Sequence, residues 1–81
     1  MVHVILPASM KAATGGKTAF DIEAANMREV LVRLGEHHPK LKPILDRGVS
    51  VSINDVIYRE PSYQPIAAGS QIYILPRMAG G

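Results

Sequence analysis

The chain has 81 residues, 47% of them hydrophobic, with a net charge of +2 and no cysteine. That length argues for one domain, because halves near the roughly 40-residue limit usually need disulfides or metals to fold. The missing thiols exclude a disulfide scaffold, a thiolate-held iron–sulfur or zinc site and a cysteine nucleophile. A body this small buries only about 60% of its unfolded surface, so a deep catalytic pocket beside a core is a poor expectation.

The positive charges, among them Arg28, Arg33, Lys40, Lys42, Arg47, Arg59 and Arg77, are scattered with acids between them, and aromatics are only 5%. A nucleic-acid binder more often carries a dense basic stripe interleaved with aromatics, so no nucleic-acid partner is expected. No apolar run approaches the ~18–20 residues that span a bilayer, and no membrane partner is expected. No basic leader precedes the short apolar run in MVHVIL, which does not read as a signal peptide. With the absence of cysteine, this predicts a cytoplasmic protein.

In chain order, residues 2–6 (VHVIL) alternate, with Val2, Val4 and Leu6 on one face and His3 and Ile5 on the other. This is a strand that Pro7 ends. Residues 7–16 read as a loop tipped by Gly15-Gly16. Residues 17–23 alternate again around Phe20 and Ile22, completing an antiparallel hairpin. A helix is predicted over 26–38. Asn26 is its N-cap and Glu29 stands in a capping-box-like position. Met27, Val30, Leu31 and Leu34 form one face, and Pro39 stops the helix. A short helical turn over 41–46 turns Leu41, Ile44 and Leu45 inward. Residues 49–53 (VSVSI) form a half-buried strand, Asn54-Asp55 a tight turn, and 56–59 the returning arm. Residues 60–70 read as a loop, 71–75 (QIYIL) as the last strand ended by Pro76, and 77–81 (RMAGG) as a flexible tail.

Two hairpins flank one amphipathic helix, which must lie across one face of a single mixed sheet. The arrangement that satisfies this is an α+β, β-grasp fold of about five strands, with the first and last strands parallel and adjacent in the middle. The domain is predicted over 1–76 and the tail over 77–81. If Val2, Val4, Leu6, Ile72 and Ile74 face the helix, then His3, Ile5, Tyr73 and Leu75 face outward, and Ile57 joins them from the fourth strand. That contiguous exposed patch is the expected partner-docking face.

The tail ends in Gly80-Gly81. With glycine at about 7% of residues, such an ending arises by chance in about 0.5% of chains, and ordinary terminal fraying is its plain explanation. The functional reading is that a tip without side chains can thread a narrow channel and deliver its carboxylate to another enzyme's active site. Residues 76–81 would reach about 20 Å when extended. Ordering them costs roughly 1–2 kcal/mol per residue in backbone entropy, so the partner's channel must grip the backbone, which glycine leaves accessible.

From Val49 onward, the strand–turn–strand around Asn54, the PIAAGSQ loop (65–71), the IYILP strand and the diglycine end resemble the ThiS/MoaD family of ubiquitin-like sulfur carriers. The resemblance implies a β-grasp carrier that is not itself an enzyme. Its Gly81 is adenylated by an ATP-dependent activating enzyme and converted to a thiocarboxylate. Gly80, Ala79, Met78 and Arg77 are then the residues the partner's channel holds. No cofactor is bound stably; ATP is used by the partner. A large synthase subunit or another sulfur-acceptor enzyme then receives the sulfur. Residues 37–48 fill a stretch that thiamine-type carriers usually lack. This favours the small subunit of molybdopterin synthase, with molybdopterin biosynthesis as the pathway. LPASMKAATGG and the HPKL motif are also similar to MoaD-like carriers that serve cysteine synthesis. The alternatives are a cysteine or thiamine carrier, a ubiquitin-like protein modifier, or a β-grasp binding module with an inert tail.

Other motifs carry less. His3, His37 and His38 have no carboxylate or cysteine spaced to complete a metal site, and adjacent histidines at a helix end are expected in solvent. Gly15-Gly16 lacks the context of a phosphate loop. No serine–histidine–acid arrangement is present.

Overall fold

The computed structural model describes residues 1–59 and 64–76. The five strands are β1 (Val2–Ile5), β2 (Ala19–Ile22), β3 (Val49–Ile53), β4 (Val56–Tyr58) and β5 (Gln71–Pro76); the helices are α1 (Met27–His37) and α2 (Lys42–Asp46). The sheet order is β2-β1-β5-β3-β4. β1 and β5 run parallel at its centre, with His3 opposite Gln71, Val4 opposite Ile72 and Ile5 opposite Tyr73. The other three pairings are antiparallel. This is the β-grasp arrangement that the order of elements predicts.

Alternation along the strands builds the core. Val2, Val4, Val51, Ile72 and Ile74 are all but inaccessible to solvent, and they meet Met27, Val30 and Leu34 from α1. Leu31 lies half-buried at the edge of that contact. Asn26 caps α1 as expected, its side chain accepting the Glu29 N–H at 3.0 Å. The Glu29 carboxylate reaches back to the Ala25 N–H at 2.7 Å, one residue earlier than in a regular capping box.

Several local readings are corrected. Residues 7–16 are not an open loop: Ala8–Thr14 form a 3₁₀ helix, ended by Gly15 in the left-handed conformation, and Met10 is buried in the core. Glycine suits that φ of 67° because it has no Cβ to clash. β2 is shorter than the predicted 17–23, and β4 ends at Tyr58 instead of residue 59. Pro39 opens a 3₁₀ turn, Pro39–Leu41, that runs directly into α2, so the helical turn starts two residues early. His38 is half-buried, its ring edge-on to Phe20 at 5.0 Å, and only His37 is exposed in the manner expected of both. The described part of the 60–70 loop is also more ordered than its composition suggests. Gln64 accepts the Met27 N–H, Ala25 accepts the Ile66 N–H, and Ile66 is buried. These bonds close the start of α1, where backbone N–H groups otherwise lack partners.

The predicted tail, 77–81, lies outside the described residues. So do the placements of Arg77, Met78, Ala79, Gly80 and Gly81.

Candidate functional site

The outer sheet face follows from the same alternation that built the core. Residues that skip the core appear here in register. Ile57 of β4, Ser52 of β3, Tyr73 of β5, Ile5 of β1 and Ala19 of β2 stand directly opposite one another, forming one row across all five strands. Ile57 is 66% exposed and Tyr73 39%. Leu75, half-buried, lies opposite Ser50 on the side of that row nearer Pro76. The structure therefore brings Ile5, Tyr73 and Leu75 together, with Ile57 set apart by the small Ser52.

His3 belongs to a different, polar row. It lies between Asp21 and Gln71, and its Nδ1 is 2.9 Å from the Asp21 carboxylate. It borders the apolar patch instead of extending it.

Position along β5 is fixed from its first residue. The turn after β3 holds Asn54 and Asp55 at φ of 47° and 74°, the left-handed pair of a two-residue hairpin. Asn54 then reaches across to β5. Its side-chain oxygen accepts the Gln71 N–H at 2.9 Å, its amide donates to the Ser70 hydroxyl, and its own N–H donates to the Gln71 carbonyl. The Ser70 hydroxyl in turn donates to the Ala67 carbonyl at 2.7 Å. Sequence reading found the turn at Asn54 but not this clamp; the PIAAGSQ segment resembling the carrier family was the one signal for it.

β5 is thus held by β1 on one side, β3 on the other and Asn54 at its start. It runs to Pro76, which pairs with Val49. The last described residues of the chain thus lie in the central strand, beside Leu75. Among the described residues, no group of three or more histidine, cysteine or acidic side chains could hold a metal ion. His3 lies on the outer face of the sheet beside Asp21, whereas His37 and His38 lie at the C-terminal end of α1. No described helix is long and apolar enough to cross a membrane.

A five-strand β-grasp body with an exposed apolar face beside its central strand is a ubiquitin-like fold. The ThiS family profile matches residues 4–81, and the chain belongs to that family. It is a ThiS/MoaD-type sulfur carrier and not an enzyme. Among solved structures, a chain of the Amycolatopsis orientalis BexX/CysO complex is 26% identical with a TM-score of 0.82, covering 100% of both chains. A chain of the complex of subunits 1 and 2 of the Helicobacter pylori molybdopterin-converting factor is also 26% identical. Its TM-score is 0.71, covering 99% of this chain and 97% of that one. Small archaeal modifier protein 1 from Methanosarcina acetivorans is 22% identical with a TM-score of 0.77, covering 99% of this chain and 95% of that one, a likeness of fold alone. A search of curated protein sequences returns no match.

Proposed function

We propose that the carboxylate of Gly81 is the group that carries sulfur, and that an ATP-dependent adenylating enzyme prepares it. A carboxylate oxygen of Gly81 attacks the α-phosphorus of ATP, and pyrophosphate leaves. Hydrosulfide then attacks the acyl carbon of the adenylate, AMP leaves with the electron pair of the broken carbon–oxygen bond, and a proton is released. The product is a thiocarboxylate, whose sulfur passes to an acceptor enzyme. The observation that supports this reading is a family match that runs through both terminal glycines.

Gly80, Ala79, Met78 and Arg77 lie in the activating enzyme's channel, while Ile5, Tyr73, Leu75 and Ile57 dock against its surface, with His3 at the margin. An apolar cluster beside the end of β5 suits both tasks, because contacts there hold the end of the described body against the enzyme. The acceptor is a large molybdopterin-synthase subunit, which places the sulfur in molybdopterin; the converting-factor likeness supports this. A second reading, a carrier for cysteine synthesis, is favoured by the higher TM-score of the Amycolatopsis match at equal identity.

The test is to incubate the chain with its cognate adenylating enzyme, ATP and sulfide, then weigh it intact. The expected gain is one oxygen replaced by sulfur at the C-terminus. A chain lacking Gly80 and Gly81 should show none, and an unmodified full-length chain would refute the reading. Offering the loaded carrier to a purified large molybdopterin-synthase subunit and to a cysteine-synthase-like enzyme separates the pathways, since only the true acceptor discharges it.

A further inference from the structure

The sheet has a second feature suited to recognition, at its opposite edge and on the helix side. β2 is an edge strand, with no strand beyond it among the described residues. The Leu6 N–H donates to the Thr18 carbonyl at 2.7 Å. Antiparallel pairing alternates, so Phe20 and Ile22 bond back to β1 while the N–H and C=O groups of Ala19 and Asp21 point to the open side. An edge of this kind is a template for an added strand.

Beside that edge, a cleft of about 360 Å³ separates β2 from the C-terminal half of α1. Phe20 and Leu34 line its floor, and Lys17, Arg33, His37 and His38 stand around them. Two of these are positioned by the floor itself: the Lys17 ammonium lies 5.1 Å from the centre of the Phe20 ring, and His38 meets that ring edge-on. Of the two carboxylates at the cleft, Asp21 is turned to the outer face, where it pairs with His3, which leaves Glu23 as the nearby acid.

We infer that this cleft receives an extended acidic segment of a partner protein, which adds to β2 as a sixth strand. Its backbone pairs with Ala19 and Asp21, apolar side chains cover Phe20 and Leu34, and carboxylates meet Lys17 and Arg33 at the rim. Charge complementarity chooses this occupant, since a basic strand would face two fixed cations. The surface is separate from the outer-face patch, and the inference does not depend on the chemistry at Gly81.

The test titrates the full chain, labelled for amide NMR, with a blocked peptide Glu-Glu-Val-Thr-Val-Glu-Glu and with its lysine counterpart. The acidic peptide should shift amides in residues 17–23 and 33–38 and slow hydrogen exchange at Ala19 and Asp21, while the lysine peptide should do neither. Reversing both fixed cations, Lys17→Glu with Arg33→Glu, should weaken binding roughly tenfold. Ala19→Pro removes an outward N–H and should abolish binding while leaving the bonds to β1 in place; should that variant fail to fold, the charge reversal still decides. Equal binding of the lysine peptide, shifts centred on Tyr73 and Ile57, indifference to the charge reversal, or displacement by pyrophosphate as effective as by free peptide would each overturn strand addition.

Discussion

The two faces of the sheet come from the same strands, one residue out of step, and yet do opposite work. On the helix side Val2, Val4, Val51, Ile72 and Ile74 are sealed in an aliphatic core. On the outer side His3, Ile5, Ser50, Ser52, Tyr73 and Leu75 keep contact with solvent, and no described element covers them. Burial converts the first set into folding free energy, at roughly 25 cal/mol per Å² of apolar area. The second set retains apolar area whose burial is still available to a partner. A substitution on one face should therefore change stability, and on the other affinity.

The strongest challenge to that division is Ile72→Ala. The side chain is fully buried in the central strand, and its truncation should cost about 3 kcal/mol. A chain of this size holds roughly 4–12 kcal/mol in total, so the urea midpoint should fall steeply. A small change would mean that the helix-side face is not the main support.

Asn54→Ala comes next, at about 2 kcal/mol, because it removes the side-chain bonds to Gln71 and Ser70 and places a Cβ-bearing residue without a polar side chain at positive φ. Thermal unfolding measures the loss, and amide exchange should rise first at Gln71. Asn26→Ala should cost about 1 kcal/mol through the lost cap of α1, read from the same denaturant curves.

Tyr73→Glu is the smallest effect on the fold, within about 0.5 kcal/mol, since the residue is exposed on the outer face. Its affinity for the activating enzyme should nonetheless fall about tenfold or more, because large aromatics at the centre of an interface carry much of its energy. Calorimetric titration against that enzyme, beside an unfolding curve, shows whether stability and affinity separate between the faces.

The strands were legible because Val, Ile and Tyr alternate with polar residues at a period of two, and α1 because Asn26 and the Met27–Leu34 spacing mark both its start and its buried face. The outer patch followed from the same parity, so Ile5, Tyr73 and Leu75 could be placed together from the sequence. What escaped was everything that depends on contacts distant in the chain. The PASMKAAT segment has the composition of a loop, and it becomes helical where Met10 finds the core. Ser52 interrupts the patch only because register sets it between Ile57 and Tyr73. The Asn54 clamp spans 17 residues to Gln71, and no local pattern announces it. The β2 cleft likewise exists only because Lys17 and Phe20 of the β2 segment meet Arg33 and Leu34 of α1.

The central place of β5 has a further consequence, for biogenesis. Remove that strand from the order β2-β1-β5-β3-β4 and two hairpins remain with nothing between them. The keystone of the sheet is thus synthesised after the other four strands, and the nascent chain cannot close its sheet until all of them have been made. A product that terminates before β5 would hold two unjoined hairpins and no finished sheet, so the topology makes the completeness of the fold depend on this one strand.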